Sequence, residues 1–160
     1  FYRGFLYVGL MIKNKEPYLI EYNVRMGDPE CQVILPRLKT NLLKIINYSL
    51  MNKLRKIKLS WEKNKCMTIV LCSKGYPGSY TKGKIIKIKN IKDKKELFII
   101  HAGTKRYDKN IYSTGGRVLN VVSKGNDFYQ IRKRIINLIK KINWKDGSYR
   151  KDIGLTVKQF

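Results

Sequence analysis

The sequence predicts an α/β protein of the α+β kind, with mainly antiparallel strands, and three observations point there. Short apolar runs at 66–74, 84–91 and 97–103 read as strands, the first two separated by the Gly/Pro loop at 75–83. Leucines and isoleucines recur at helical spacing from Leu38 to about Leu54, and again from Ile131 to Ile142. The 160 residues are 43% hydrophobic and 29% charged, a balance that can bury a core and excludes a disordered chain. That length allows one compact domain, or one small domain plus a piece of another.

Along the chain, residues 2–13 alternate loosely between aromatic and aliphatic positions and form a first strand. NKEP at 14–17 is a turn, and YLIEYNVR at 18–25 is a second strand with polar residues in its interior. MGDPE at 26–30 turns into a helix, with Asp28 as N-cap and Pro29 at the first helical position. After the helix near 38–54, KIKLSWEKNK at 56–65 is a junction between two units. CMTIVLCSK at 66–74 is a strand, GYPGSYTKG at 75–83 a loop, KIIKIKNI at 84–91 an alternating strand and LFIIHAG at 97–103 another. STGGRVLNVVSKG at 113–125 is a glycine turn running into a strand. Asn126 or Asp127 then caps a helix with Ile131, Ile135, Leu138, Ile139 and Ile142 on one face.

Thirty-five Lys and Arg against 11 Asp and Glu give a formal net charge of +24. Such a charge attracts phosphate, and a basic nucleic-acid-binding module is one reading of it. The lysines are scattered rather than gathered, Ala102 is the only alanine, and Lys, Ile, Asn and Tyr abound. That pattern is what AT-rich codons produce in any protein, so no specific nucleic-acid partner is expected. The three cysteines lack paired metal-ligand spacing and are too few for a disulfide framework, which suits a reducing, cytoplasmic setting. The longest apolar stretch, Phe5 to Ile12, falls far short of a membrane span. The chain opens on Phe1 with Arg3 before that stretch, but no small-residue cleavage site follows, so a piece of a longer protein is expected rather than a signal peptide.

Chemistry has few places to sit. Glu21 and Asn23 are two apart on a strand and share a face, offering a carboxylate and an amide oxygen as hard ligands for Mg²⁺. The same spacing also fits an ordinary solvated edge strand. Arg25, Gly27, Asp28, Pro29 and Glu30 follow at once and put a guanidinium and two carboxylates on the adjoining turn, either for substrate or as a capped helix start with a surface ion pair. His101 has no Cys or acidic partner at a known spacing. GYPG at 75–78 and TGGRV at 114–118 lack the spacing of phosphate-binding loops.

Taken in order, GFLYVGLMI, EYNVRMGDPECQVILPRLK, GYPGSYTKG, HAGTK, GGRVLNV and YRKDIG resemble the phosphoribosylamine–glycine ligase (glycinamide ribonucleotide synthetase) family of the ATP-grasp superfamily. The second word is the most specific. The resemblance implies that residues 1–55 are the last part of an ATP-grasp domain, and that 56–160 are a small mixed, mainly antiparallel C-terminal domain. It implies ATP-dependent ligation in purine biosynthesis. Glycine is activated as an acyl phosphate and attacked by the amine of 5-phosphoribosylamine, giving glycinamide ribonucleotide, ADP and phosphate with Mg²⁺ or Mn²⁺. On this resemblance Glu21 and Asn23 match the metal ligands, and Arg25 and Asp28 lie on the substrate-contacting turn. His101, Lys105 and Arg117 belong to the domain that closes over the site. No catalytic residue is assigned, and a monomer acting without membrane or nucleic acid is expected.

The sequence departs from the family pattern at three places: Met26 for an aromatic or leucine, Asn41 for Asp, and Cys72-Ser73-Lys74 before GYPG. Loss of the Asp charge at 41 would weaken any partner of that carboxylate. The rival readings are the nucleic-acid module and another ATP-grasp carboxylate–amine ligase, with the GDPE turn and HAGTK against the latter. Whether the piece is a split-gene product or a remnant is a separate question.

Overall fold

The computed structural model describes residues 2–88 and 94–157. They form two compact units, Phe1–Glu62 and Lys63–Phe160. This division falls beyond the 55/56 boundary expected from the sequence, and the reason is local pairing. Lys39 N–H and Thr40 N–H donate to Ser60 O, Glu62 N–H donates to Arg37 O, and Leu38 bridges Trp61. The stretch before Lys63 is thereby tied back to the first unit.

The first unit opens with an antiparallel hairpin of β1 (Tyr7–Lys13) and β2 (Glu16–Asn23). Its turn places Asn14 and Lys15 at φ 53° and 67°, the doubly left-handed turn whose twist matches a hairpin. The register sets Tyr7 opposite Asn23 and Gly9 opposite Glu21, with a bulge between Gly9 and Leu10. Two short helices follow. α1 (Cys31–Ile34) begins after Glu30, not at the expected Pro29. Asp28 does not cap it: the Cys31 N–H is satisfied by Gly27 O, and Asp28 Oδ1 instead accepts from Gln32 Nε2 at 2.8 Å. α2 spans only Leu42–Leu50 of the expected 38–54. Asn41 caps its start by accepting from Lys44 N–H at 3.1 Å, and Asn52, at φ 56°, follows its end. Asn41 thus performs the cap that an Asp would, since the two residues cap helices about equally well.

The second unit holds two four-stranded antiparallel sheets. The first runs β10 (Gly147–Ser148), β3 (Lys65–Ser73), β8 (Arg117–Gly125), β5 (Leu97–His101). The second runs β6 (Thr104–Tyr107), β7 (Asn110–Ser113), β4 (Ile85–Ile88), β9 (Ile142–Asn143). Residues 89–91 of the expected strand at 84–91 lie outside the described residues. Period-two burial along β3 sends Met67, Ile69 and Leu71 inward, against Leu119 and Val121 of β8. Helix α3 (Phe128–Ile139) lays Ile131, Ile135, Leu138 and Ile139 on that core, and Ile86 and Trp144 join it. Asp127 caps α3 by accepting from the N–H groups of Tyr129 and Gln130. The helix ends at Ile139, so Ile142, expected on its face, opens β9 instead and still packs on the core. Among the described residues no helix is long and apolar enough to cross a membrane.

Candidate functional site

In the first unit, alternation along β2 puts Glu21 and Asn23 on one face of the hairpin, where they join Tyr7 and Gly9 of β1 through the register. Gly9 is what gives Glu21 its room, because a Cβ there would sit 3.1 Å from Glu21 Cγ. Glu21 is exposed and Asn23 half-buried. Tyr7 O–H donates to Glu30 Oε1 across a long 3.3 Å bond. The Glu30 carboxylate beside it pushes the phenol above its ordinary pKa, with burial, that hydrogen bond and the charge of Glu21 adding to the effect. The turn between β2 and α1 carries the exposed side chains of Arg25 and Asp28. One Arg25 guanidinium nitrogen donates to Met26 O at 3.0 Å. Cys31 lies 3.5 Å from Met26 Sδ, and its thiol is pushed up by burial and by Asp28.

The donor chemistry here is hard oxygen on a strand, which fits Mg²⁺ or Mn²⁺ and not a soft thiolate-bound metal. Among the described residues no cluster of three His, Cys, Asp or Glu could enclose a metal ion. A carboxylate–amide pair of this kind leaves other coordination positions to waters and phosphates, as Mg²⁺ prefers.

In the second unit His101, Lys105 and Arg117 fall at one corner. His101 ends β5, Lys105 lies in β6 and Arg117 opens β8. The backbone stitches them together: Ala102 N–H donates to Val118 O, Gly103 N–H to Arg117 O and Thr114 N–H to Gly103 O. The approach is so close that a Cβ on Gly103 would lie 2.7 Å from Arg117 O and 2.9 Å from Gly115 Cα. His101 Nδ1 is 3.0 Å from Thr104 Oγ1. The GYPG loop serves this corner, since Tyr76 covers Gly116 so tightly that a Cβ there would collide with its ring. Ser73 Oγ donates to Gly115 O at 2.8 Å. Lys105 also lines an open cavity of about 360 Å³ with Lys82, Gly83, Tyr107, Tyr112, Ser113 and Thr114. His101 and Arg117 lie outside that lining.

Reading the sequence alone overlooks Tyr7, its pairing with Glu30, and the β6–β7 hairpin with its cavity. The turn carried part of the signal for Tyr7. Counting back from the Asn14–Lys15 turn pairs it with Asn23 once the bulge at Gly9 is allowed for.

The hairpin with its oxygen pair is of the ATP-grasp class: residues 1–31 match the family model described as phosphoribosylglycinamide synthetase, ATP-grasp (A) domain. Residues 66–156 match phosphoribosylglycinamide synthetase, C domain, and the chain belongs to that family. It is 44% identical over 153 residues to the phosphoribosylamine–glycine ligase of Caldanaerobacter subterraneus subsp. tengcongensis, covering 96% of this chain and 36% of that one. It is likewise 44% identical over 158 residues to the chloroplastic phosphoribosylamine–glycine ligase of Arabidopsis thaliana, covering 94% of this chain and 29% of the relative. The crystal structure of the phosphoribosylamine–glycine ligase from Thermotoga maritima superposes with a TM-score of 0.77 at 33% identity, over 94% of this chain and 37% of that one. The chain therefore spans about a third of the length of these relatives.

Proposed function

We propose that this chain serves the ATP-dependent ligation of glycine to 5-phosphoribosylamine, which yields glycinamide ribonucleotide, ADP and phosphate in purine biosynthesis. The observation that carries the reading is the shared face of Glu21 and Asn23, opened by Gly9, within a segment that matches the family's ATP-grasp domain. These two residues would hold Mg²⁺ or Mn²⁺, and the ion would neutralise and orient the phosphates of ATP. Arg25 and Asp28, exposed on the next turn, would contact substrate. In the second unit, the cations Lys105 and Arg117 and the imidazole of His101 are further candidates for substrate contact. Because the chain spans about a third of its relatives, the reaction is assigned to a full-length ligase containing this segment, and the 160-residue chain alone should release no ADP from glycine and phosphoribosylamine.

The test is Glu21→Ala in that full-length ligase. Loss of a charged contact to the reacting phosphates should lower kcat on the order of 10²-fold or more, with the melting temperature unchanged. Asn23→Ala should do the same more mildly, because a neutral ligand contributes less charge. Normal turnover by both variants at low Mg²⁺ would refute the assignment. The same reading places the enzyme in the cytoplasm as a monomer without a specific nucleic-acid partner. Binding to oligonucleotides should then be non-specific and fall steeply with salt. A preference of about 10³-fold for one sequence at physiological salt would restore the nucleic-acid reading.

A further inference from the structure

Tyr7 stands where the two halves of the first unit's site meet. On one side it is the register partner of Asn23 and shares the face of Glu21. On the other side its hydroxyl reaches Glu30 Oε1 at 3.3 Å, and its ring lies against Gly27 so closely that a Cβ there would fall 2.9 Å from Tyr7 Cε2. That same Cβ would collide with the Glu30 carboxylate. Gly27 is buried, and its carbonyl accepts from Cys31 N–H at 2.9 Å. One side chain from β1 is thus wedged into the turn that carries Arg25 and Asp28, while sitting in register with the strand that carries Glu21 and Asn23.

We infer that Tyr7 is a positioning residue: acting through Glu30 and Gly27, it fixes the turn of residues 25–30 against the Glu21–Asn23 pair. The inference rests on the metal reading given above and adds the means by which the substrate side and the metal side keep their spacing. Ring packing against Gly27 supplies the fit, and the phenol–carboxylate hydrogen bond supplies the direction. Glu30 acts here as an acceptor, so its negative charge is not what the role requires.

The test uses the full-length ligase containing this segment, isotopically labelled for nuclear magnetic resonance, with Mn²⁺ alone as the probe. Paramagnetic broadening falls steeply with distance from the ion and reports geometry without any turnover. In the native chain, broadening should centre on Glu21 and Asn23 and extend to the amides of Gly27 and Glu30. Tyr7→Phe removes one oxygen and keeps the ring. It should retain the broadening at Glu21 and Asn23 and lose that at Gly27 and Glu30. Glu30→Ala should reproduce this loss, whereas Glu30→Gln, which keeps an acceptor for the phenol, should show the native pattern. A Tyr7→Phe chain with the native pattern would overturn the inference. So would Glu30→Gln behaving like Glu30→Ala, which would assign Glu30 to charge. Absence of broadening at Glu21 and Asn23 in the native chain is a different failure, because it removes the metal pair itself and the inference with it.

Discussion

In the second unit β8 is buried from Val118 to Lys124, on both of its faces, while in the first unit the β1–β2 hairpin is exposed along almost its whole length. Ile69, Val121 and Ile135 are at most 1% exposed, whereas Ile12 and Ile20 are 61% and 62% exposed. The side chains are of the same kind, so the difference lies in what covers them. The second unit has a helix and a second sheet folded over its central strands. The first has a two-stranded hairpin, which is marginal by itself in water, and two short helices with no fully buried residue. The contrast teaches that the domain bearing the cationic corner carries its own core. The hairpin bearing the oxygen pair needs apolar cover that the described residues do not supply.

Separating the units should break the molecule along this contrast. A piece comprising residues 63–160 should unfold cooperatively on heating, because its core cluster lies wholly within it. A piece comprising residues 1–62 should show no cooperative transition and should bind a hydrophobic dye. A sharp calorimetric transition for residues 1–62 would contradict this.

Single side chains sharpen it further. Ile135→Ala, in the core under α3, should cost about 2–5 kcal/mol in denaturant unfolding, while Ile20→Ala on the open hairpin should change stability by no more than about 0.5 kcal/mol. Next in size is Gly103→Ala. The added carbon would meet backbone at Arg117 and Gly115 that cannot swing aside, and the expected loss is about 1–3 kcal/mol. Asp127→Ala, which removes a cap accepting from two N–H groups, should cost about 1 kcal/mol by the same measurement.

The smallest effect belongs to the Arg150–Asp152 pair. Its side chains are 75% and 59% exposed, and the guanidinium's hydrogen bond holds the Asp152 carboxyl below its usual range. A depressed folded-state pKa contributes stability above the unfolded value and loses it as pH falls through the folded one. At such exposure the contribution should be too small to see in a melting curve. Arg150→Ala should raise the Asp152 pKa toward the ordinary carboxylate range in a resonance titration, with no change in melting temperature at neutral pH.

Legibility followed local patterning. β3, β5, β8 and α3 were readable because each carries a dense apolar run or period and Asp127 marks the helix start. The β6–β7 hairpin was not, because TKRYDKN is polar enough to pass for a loop and its pairing is decided by contacts to β4. The end of α2 was overestimated, since Leu54 continues the helical spacing while Asn52 takes a left-handed conformation. The shared face of Glu21 and Asn23 was legible from alternation alone, whereas their reading as metal ligands came from the family resemblance. Tyr7 was not legible, because its place depends on cross-strand register and on a bulge that no local pattern announces.

Hydrogen exchange on the intact 160-residue chain tests the contrast most directly, amide by amide. Amides of β3, β8 and α3 should exchange only through global unfolding of the second unit, and those paired between β1 and β2 should exchange with little protection. Protection of the β1–β2 amides equal to that of β8 would show that the hairpin has cover of its own, and would contradict the account.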